Sequence, residues 1–252
     1  MTFWGRLVSI PLTPVFLAQA AWTIRRLPAL PDARKPWSGA LAGPDPIRLL
    51  VVGDSTAAGV GVAEQEDGLP GNIARELKHR FGRGTEWRVV GESAVDTRGL
   101  VARHLGELTE APADLIFIAV GSSDAIKLRP GKSFARDLRE LLECLRDASP
   151  DALILVSQLP RFSQLKSFAE PLKSGLARNT AILDAVLIGV ISPMKGVRAV
   201  ATPPVYAPHT LSVDGLHPNA TGYRDWIDHA FVGVPDKTLG FFARSSEAES
   251  GS

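Results

Sequence analysis

The chain holds a single cysteine, Cys144, among 252 residues. That scarcity excludes an internal disulfide and any zinc site built on paired thiolates. Cys144 sits in "LRELLECLRD", where helical spacing assigns it to the inner face, so core packing is its expected role. Charge of one sign is missing too: 28 Lys and Arg meet 27 Asp and Glu, a net +1. So even a balance gives no electrostatic case for nucleic acid as a partner. The glycine-studded stretch "GDSTAAGVGVAE" (53–64) lacks the lysine of a Walker loop and the third glycine of a dinucleotide fingerprint. Asp54 beside such a cradle would also repel phosphate. Nucleotide, flavin and metal are not expected as cofactors, and no internal repeat is visible.

One long apolar stretch is present, "FWGRLVSIPLTPVFLAQAAWTI" (3–24), with Arg6 as its only charge and Arg25 and Arg26 following. As a signal peptide it offers "AQA" (18–20) for cleavage, against which stand Pro11 and Pro14. It is just long enough to span a bilayer, but the prolines and Gln19 make it a poor span. As an interfacial anchor through residues 3–26 it has Phe3, Trp4 and Trp22, with the arginines suited to anionic lipid. The remaining reading is a helix packed on its own domain. The expected locations come from these readings: cytoplasmic or membrane-associated, with export through an N-terminal signal also open.

Past this stretch the pattern becomes regular. A Pro/Gly-rich linker closes a leading segment of residues 1–46, a globular domain fills 47–235, and a polar tail, expected to be disordered over 244–252, runs from 236 to 252. Short runs rich in Val, Ile and Leu occur at 47–53, 86–92, 114–121, 152–158 and 196–201, as for parallel strands buried on both faces. Between them, apolar positions recur every three or four residues at 69–81, 98–108, 132–148 and 176–190, and a last helix covers 219–232. Strict alternation predicts an α/β fold with a parallel sheet covered by helices on both sides, its five strands in the order 2-1-3-4-5. Ligands then bind at the carboxyl edge where the order reverses, between the first and third strands. Gly53-Asp54-Ser55 ends the first strand, and Gly121-Ser122-Ser123-Asp124 ends the third.

A serine hydroxyl is a weak nucleophile without a base, and histidine is the natural one. Of five histidines, His79, His104 and His229 fall on helices, and His209 sits in a loop with no acid beside it. His217 differs. In "VDGLHPN", Asp214 precedes it by three positions across a glycine turn, so a carboxylate can accept from Nδ1 and leave Nε2 for the serine.

Together, "VVGDSTAAGVG", "GESAVDTRGL", "FIAVGSSDA" and "DGLHPNATGY" resemble, in chain order, the four blocks of the SGNH, or GDSL-type, hydrolases over roughly residues 47–232. The resemblance implies a three-layer α/β/α, flavodoxin-like fold and metal-free hydrolysis of carboxylic esters, with Ser55 as nucleophile, His217 as base and Asp214 as its orienter. It implies an oxyanion hole made by Ser55, by Ala94 where the family has glycine (Gly91 being the other register), and by Ser123 where it has asparagine. Gly121, Asp124 and Asp54 are then supporting groups, with Asp54 turned inward toward backbone N–H groups. The partner implied is a small-molecule ester. A lipid-like ester fits an insertion at 158–176 that mixes Phe162, Leu165 and Phe168 with Arg161, Lys166 and Lys173, either as an apolar lip or as an ordinary surface loop. The two departures at Ala94 and Ser123 motivate a second function: a catalytically weakened protein of this fold that binds an acylated ligand or glycan.

Overall fold

Each apolar run alternates its side chains between two faces, and both faces are covered by helices. The computed structural model describes residues 13–243. Within it, α1 (Thr13–Arg26) and β1 (Ser38–Leu41) precede β2 (Ile47–Gly53), α2 (Leu69–Phe81), β3 (Thr85–Gly91) and α3 (Thr97–Leu108). Then come β4 (Leu115–Ala119), the short α4 (Ser122–Ile126), α5 (Gly131–Ala148), β5 (Leu153–Ser157), α6 (Leu172–Ile191), β6 (Val197–Val200), α7 (Ala220–Val232) and α8 (Asp236–Leu239).

The sheet runs β1-β3-β2-β4-β5-β6. Its five parallel strands carry the expected 2-1-3-4-5 order. The sixth, β1, comes from the segment read as linker and pairs antiparallel with β3, Ser38 opposite Arg88. Leu49, Val51, Leu115 and Phe117 face α2 and α7 in one core, whereas Leu50, Val52, Ile116 and Ile118 face α3, α5 and α6 in the other. Two cores, one on each sheet face, make the three layers.

The flanking segments depart from expectation. Leu239 and Phe242, placed in the polar tail by sequence, are fully buried in the α2/α7 core because their apolar surface has that core to enter. Residues 244–252 lie outside the described residues, as do Phe3, Trp4, Arg6 and Pro11. In α1, Ala20 is buried in the core beside α6, whereas Trp22 is exposed with Arg26 stacked over its ring. The insertion after β5 is no exposed lip: Phe162, Leu165 and Phe168 are buried, and the two phenyl rings pack 5.4 Å apart. Cys144 is half-buried on α5, at the margin of the core.

Three loops at the carboxyl edge are tied together by one cation. Arg129 pairs with Asp137 on α5, lies 3.1 Å from Asp124 on α4, and lies 3.4 Å from Asp96, the residue that caps α3 by accepting from the Gly99 amide. Asp124 and Asp137 are both almost wholly buried. Asp137 also pairs with Arg136 at 2.7 Å, so removing Arg129 leaves the buried Asp124 as the carboxylate without its counter-charge, the costly way to break such a cluster. Arg129→Met is therefore expected to lower unfolding free energy by about 3–5 kcal/mol in urea titrations. A loss under about 1 kcal/mol would show that the cluster is held by something else.

Candidate active site

Gly53 is paired with Gly91 on one side and Ala119 on the other, so β2, β3 and β4 end level and release their loops side by side. A Cβ at Gly53 would overlap the Ala119 carbonyl oxygen, so the strand can close here only as glycine. The chain then turns through residues 54–61, with Ala58 N–H donating to Asp54 O at 3.0 Å and Val60 N–H to Ser55 O at 3.0 Å. Ser55 is left at the edge of a cavity.

The loop carrying His217 docks directly on this turn. At Gly61 a side chain would strike the backbone carbonyl of Pro218. Ser212 Oγ lies within hydrogen-bond reach of Gly61 O (3.3 Å) and Pro218 O (3.2 Å). The buried Tyr223 hydroxyl, on α7, donates to Val60 O at 2.8 Å. Burial pushes that phenol's pKa well up, so it remains a donor. Asn219 caps α7 through the Gly222 amide and fixes where the loop ends.

Between the two loops, His217 Nε2 stands 2.9 Å from Ser55 Oγ, and Nδ1 stands 2.6 Å from Asp214 Oδ2. The other carboxylate oxygen, Oδ1, accepts from the Leu216 and His217 amides at 2.9 and 3.0 Å. Burial alone would raise the Asp214 carboxyl. The ring and the two amides outweigh it and hold the carboxyl below the ordinary aspartate value. An anionic Asp214 fixes the proton on Nδ1 and leaves the Nε2 lone pair toward the hydroxyl. The expected D-x-x-H turn is thus built around one carboxylate that grips both its own backbone and the ring.

Ser55, Ala94 and Ser123 line the same cavity. Ala94 has φ +61°, one of three non-glycine residues in the left-handed region among those described. That conformation is why glycine would be expected there, and alanine adopts it at a cost of about 1–2 kcal/mol. Lys127 Nζ donates to Ala94 O at 2.9 Å and so holds this peptide plane. Gly91 is the last residue of β3, paired with Gly53, and is not among the residues lining the cavity. Ser123 is buried on α4, one residue past the start of the helix that Gly121 caps.

Asp54 turns inward and accepts from the Thr56 amide at 3.3 Å; burial is the largest influence on it and raises its pKa despite that amide and the Ser123 amide. Asp124 accepts from Thr97 N and Oγ1 at 3.0 and 2.8 Å, and burial raises it as well. Neither carboxylate is among the residues lining the cavity. His104 is engaged elsewhere, 2.9 Å from both Glu92 and Glu107, and His209 lies in an exposed turn. No group of three or more acidic, histidine or cysteine side chains suited to a metal occurs among the described residues.

Residues missed by sequence reasoning complete the cavity. Leu27, Pro28, Ala29 and Leu30, read as linker, form part of its wall, and Lys127 and Trp226 also line it. The alternation of Pro and Leu in "LPALP" directly after an apolar helix was the one signal for an extended strap instead of a loose connection.

Known proteins share this architecture. A model of the GDSL-like lipase/acylhydrolase family matches residues 51–224. The GDSL-like esterase Rv1075c of Mycobacterium tuberculosis is 27% identical over 209 residues, covering 77% of this chain and 63% of that protein, so the chain spans just under two thirds of that relative's length. Among solved structures, TesA superposes with a TM-score of 0.58 at 20% identity, covering 77% of this chain and 99% of the other. The family 3 carbohydrate esterase of Clostridium thermocellum gives 0.61 at 17% identity, covering 78% and 99%. With the match running from the serine strand into α7, the chain belongs to the GDSL-like lipase/acylhydrolase family.

Proposed function

We propose that this protein hydrolyses carboxylic esters through an acyl-enzyme formed on Ser55. The observation that carries the reading is the unbroken line of contacts from Asp214 through His217 to the Ser55 hydroxyl, at 2.6 and 2.9 Å. In this mechanism His217 Nε2 takes the hydroxyl proton as Oγ attacks the acyl carbon. Asp214 stabilises the imidazolium that forms, and the same ring passes the proton to the departing alcohol oxygen. Water, deprotonated by His217, then attacks the acyl-enzyme; the acid leaves as the ring returns the proton to Ser55 Oγ. The oxyanion is met by the Ser55 and Ala94 amides and by the Ser123 hydroxyl, directly or through a water.

The second reading, a weakened binder, draws on Ser123 standing where the family has asparagine. The intact contacts at Ser55 favour the enzyme. The role of membrane contact through the N-terminal segment is a separate proposal, supported by the exposed Trp22 with Arg26 stacked on it.

Purified protein should hydrolyse p-nitrophenyl butyrate, and Ser55→Ala should lower kcat by at least about a thousandfold. Activity surviving that change would remove Ser55 as nucleophile. Ser123→Asn supplies a longer amide donor and should raise kcat, one such donor being worth on the order of a hundredfold or more. An unchanged or lower kcat in steady-state assays would mean that an amide donor gains nothing over the serine hydroxyl at this position. Ala94→Gly relieves about 1–2 kcal/mol of left-handed strain against about 0.4–1 kcal/mol of added unfolded-state entropy. Thermal unfolding should show equal or higher stability; a clear loss would contradict the strain at this position.

A further inference from the structure

The cavity at Ser55 measures about 580 Å³, far more than an acetyl group needs and within the range that encloses ligands of drug size. Its floor and sides carry Phe162 and Leu165 from the segment after β5, Leu211 and Leu216 from the histidine loop, and Ile126 from α4. A further part of the wall is residues 27–30, which reach the cavity as a strap anchored on both sides. On one side, α1 buries Ala20 in the core and Gln19 Nε2 donates to Glu170 O at 3.2 Å. On the other, Ala33 N–H donates to Ala58 O and Arg34 N–H to Ala63 O, both at 2.9 Å, while Ser93 Oγ donates to Asp32. The strap is therefore stitched to the serine turn itself, and Leu27 and Leu30 are half-buried against the cavity.

We propose that this strap completes an acyl-chain subsite, and that the substrate is an ester of an unbranched fatty acid longer than acetate. The inference rests on the ester-hydrolase reading of Ser55. An aliphatic chain entering this wall of Leu, Ile and Phe leaves water methylene by methylene, and each gains roughly fourfold in binding. A hydroxyl-rich group set against Leu27, Leu30, Ile126 and Leu165 would lose hydrogen bonds to water that these side chains cannot replace. Leu27 and Leu30 are thus specificity-determining residues: they act on chain length and take no part in the bond-breaking step.

The test is kcat/KM of the full chain for p-nitrophenyl acetate, butyrate and octanoate, in the wild type and in a Leu27→Ser/Leu30→Ser variant. The wild type should prefer butyrate and octanoate to acetate by roughly tenfold or more. In the double variant the octanoate-to-acetate ratio should fall about tenfold. Leu30→Trp, which narrows the cavity with a larger and mainly apolar ring, should reverse the ratio and serves where the double variant does not fold. A wild-type profile that is flat or favours acetate would overturn the proposal, as would a ratio unchanged in both variants. Calorimetric titration of octanoate into the Ser55→Ala protein separates the two readings. Octanoate binding that weakens in Leu30→Trp, with no ester turned over by the wild type, would refute the hydrolase and leave the subsite standing. No binding of octanoate would refute the subsite whatever the activity.

Discussion

At Gly61 the backbone of the serine turn rests against the backbone of Pro218, and the chemistry of the site depends on that contact. The two loops are separated by most of the chain, and a single Cβ at position 61 would push them apart. Ser212 and Tyr223 then fasten the pair, the first at the mouth of the histidine loop and the second from the buried face of α7. Hydrogen bonds of this kind contribute about 1 kcal/mol each to stability. Their larger effect is positional, since a displacement of an ångström at the reacting atoms is worth orders of magnitude in rate. The strand ends supply the other half of the constraint. With Gly53, Gly91 and Ala119 in register, three loops open onto one edge without any long excursion of the chain.

Among the aspartates around this edge, Asp214, Asp54 and Asp124 are set different tasks by their surroundings. Asp214 is met by the imidazole and two amides, which keep its carboxyl ionised beside a ring that must carry charge during the proposed reaction. Asp54 and Asp124 are raised instead, because burial outweighs the amides and, for Asp124, the nearby Arg129. Both are turned away from the cavity and into the loops they brace, where they organise the Thr56, Thr97 and Ser123 amides. Arg129 links the Asp124 brace to the cap of α3 and to α5, so the loops carrying Ala94 and Ser123 share one electrostatic anchor. The left-handed Ala94 is tolerated within that frame, its carbonyl held by Lys127.

The parallel sheet was legible because its strands are buried on both faces and so read as unbroken apolar runs, with amphipathic helices between. The convergence of Ser55, Asp214 and His217 was legible because strand order assigns the first and third loops to one edge, and because Asp-Gly-Leu-His is a turn in which an acid can fold back on a ring. Local pattern failed where tertiary packing decided the outcome. Ser38–Leu41 is short and glycine-containing, and becomes a strand only because β3 offers an open edge. Leu239 and Phe242 lie in a stretch with no periodicity to read, yet they fill the end of a core. Set among basic residues, Phe162, Leu165 and Phe168 allowed either an apolar lip or a surface loop; they are buried, with Phe162 and Leu165 lining the cavity, while Arg161 and Lys166 stay exposed. Residues 27–30 carried a linker's composition, and their place over the serine is fixed by hydrogen bonds to a loop further along the chain.

The central claim is that one hydroxyl, activated by one imidazole, carries the reactivity of this chain. Treatment with a fluorophosphonate followed by peptide mass spectrometry tests it most directly. A single adduct on the peptide containing Ser55, formed quickly in the wild type and lost in His217→Ala, is the predicted result. An adduct on a different serine, or labelling of Ser55 that proceeds equally well without His217, would contradict it.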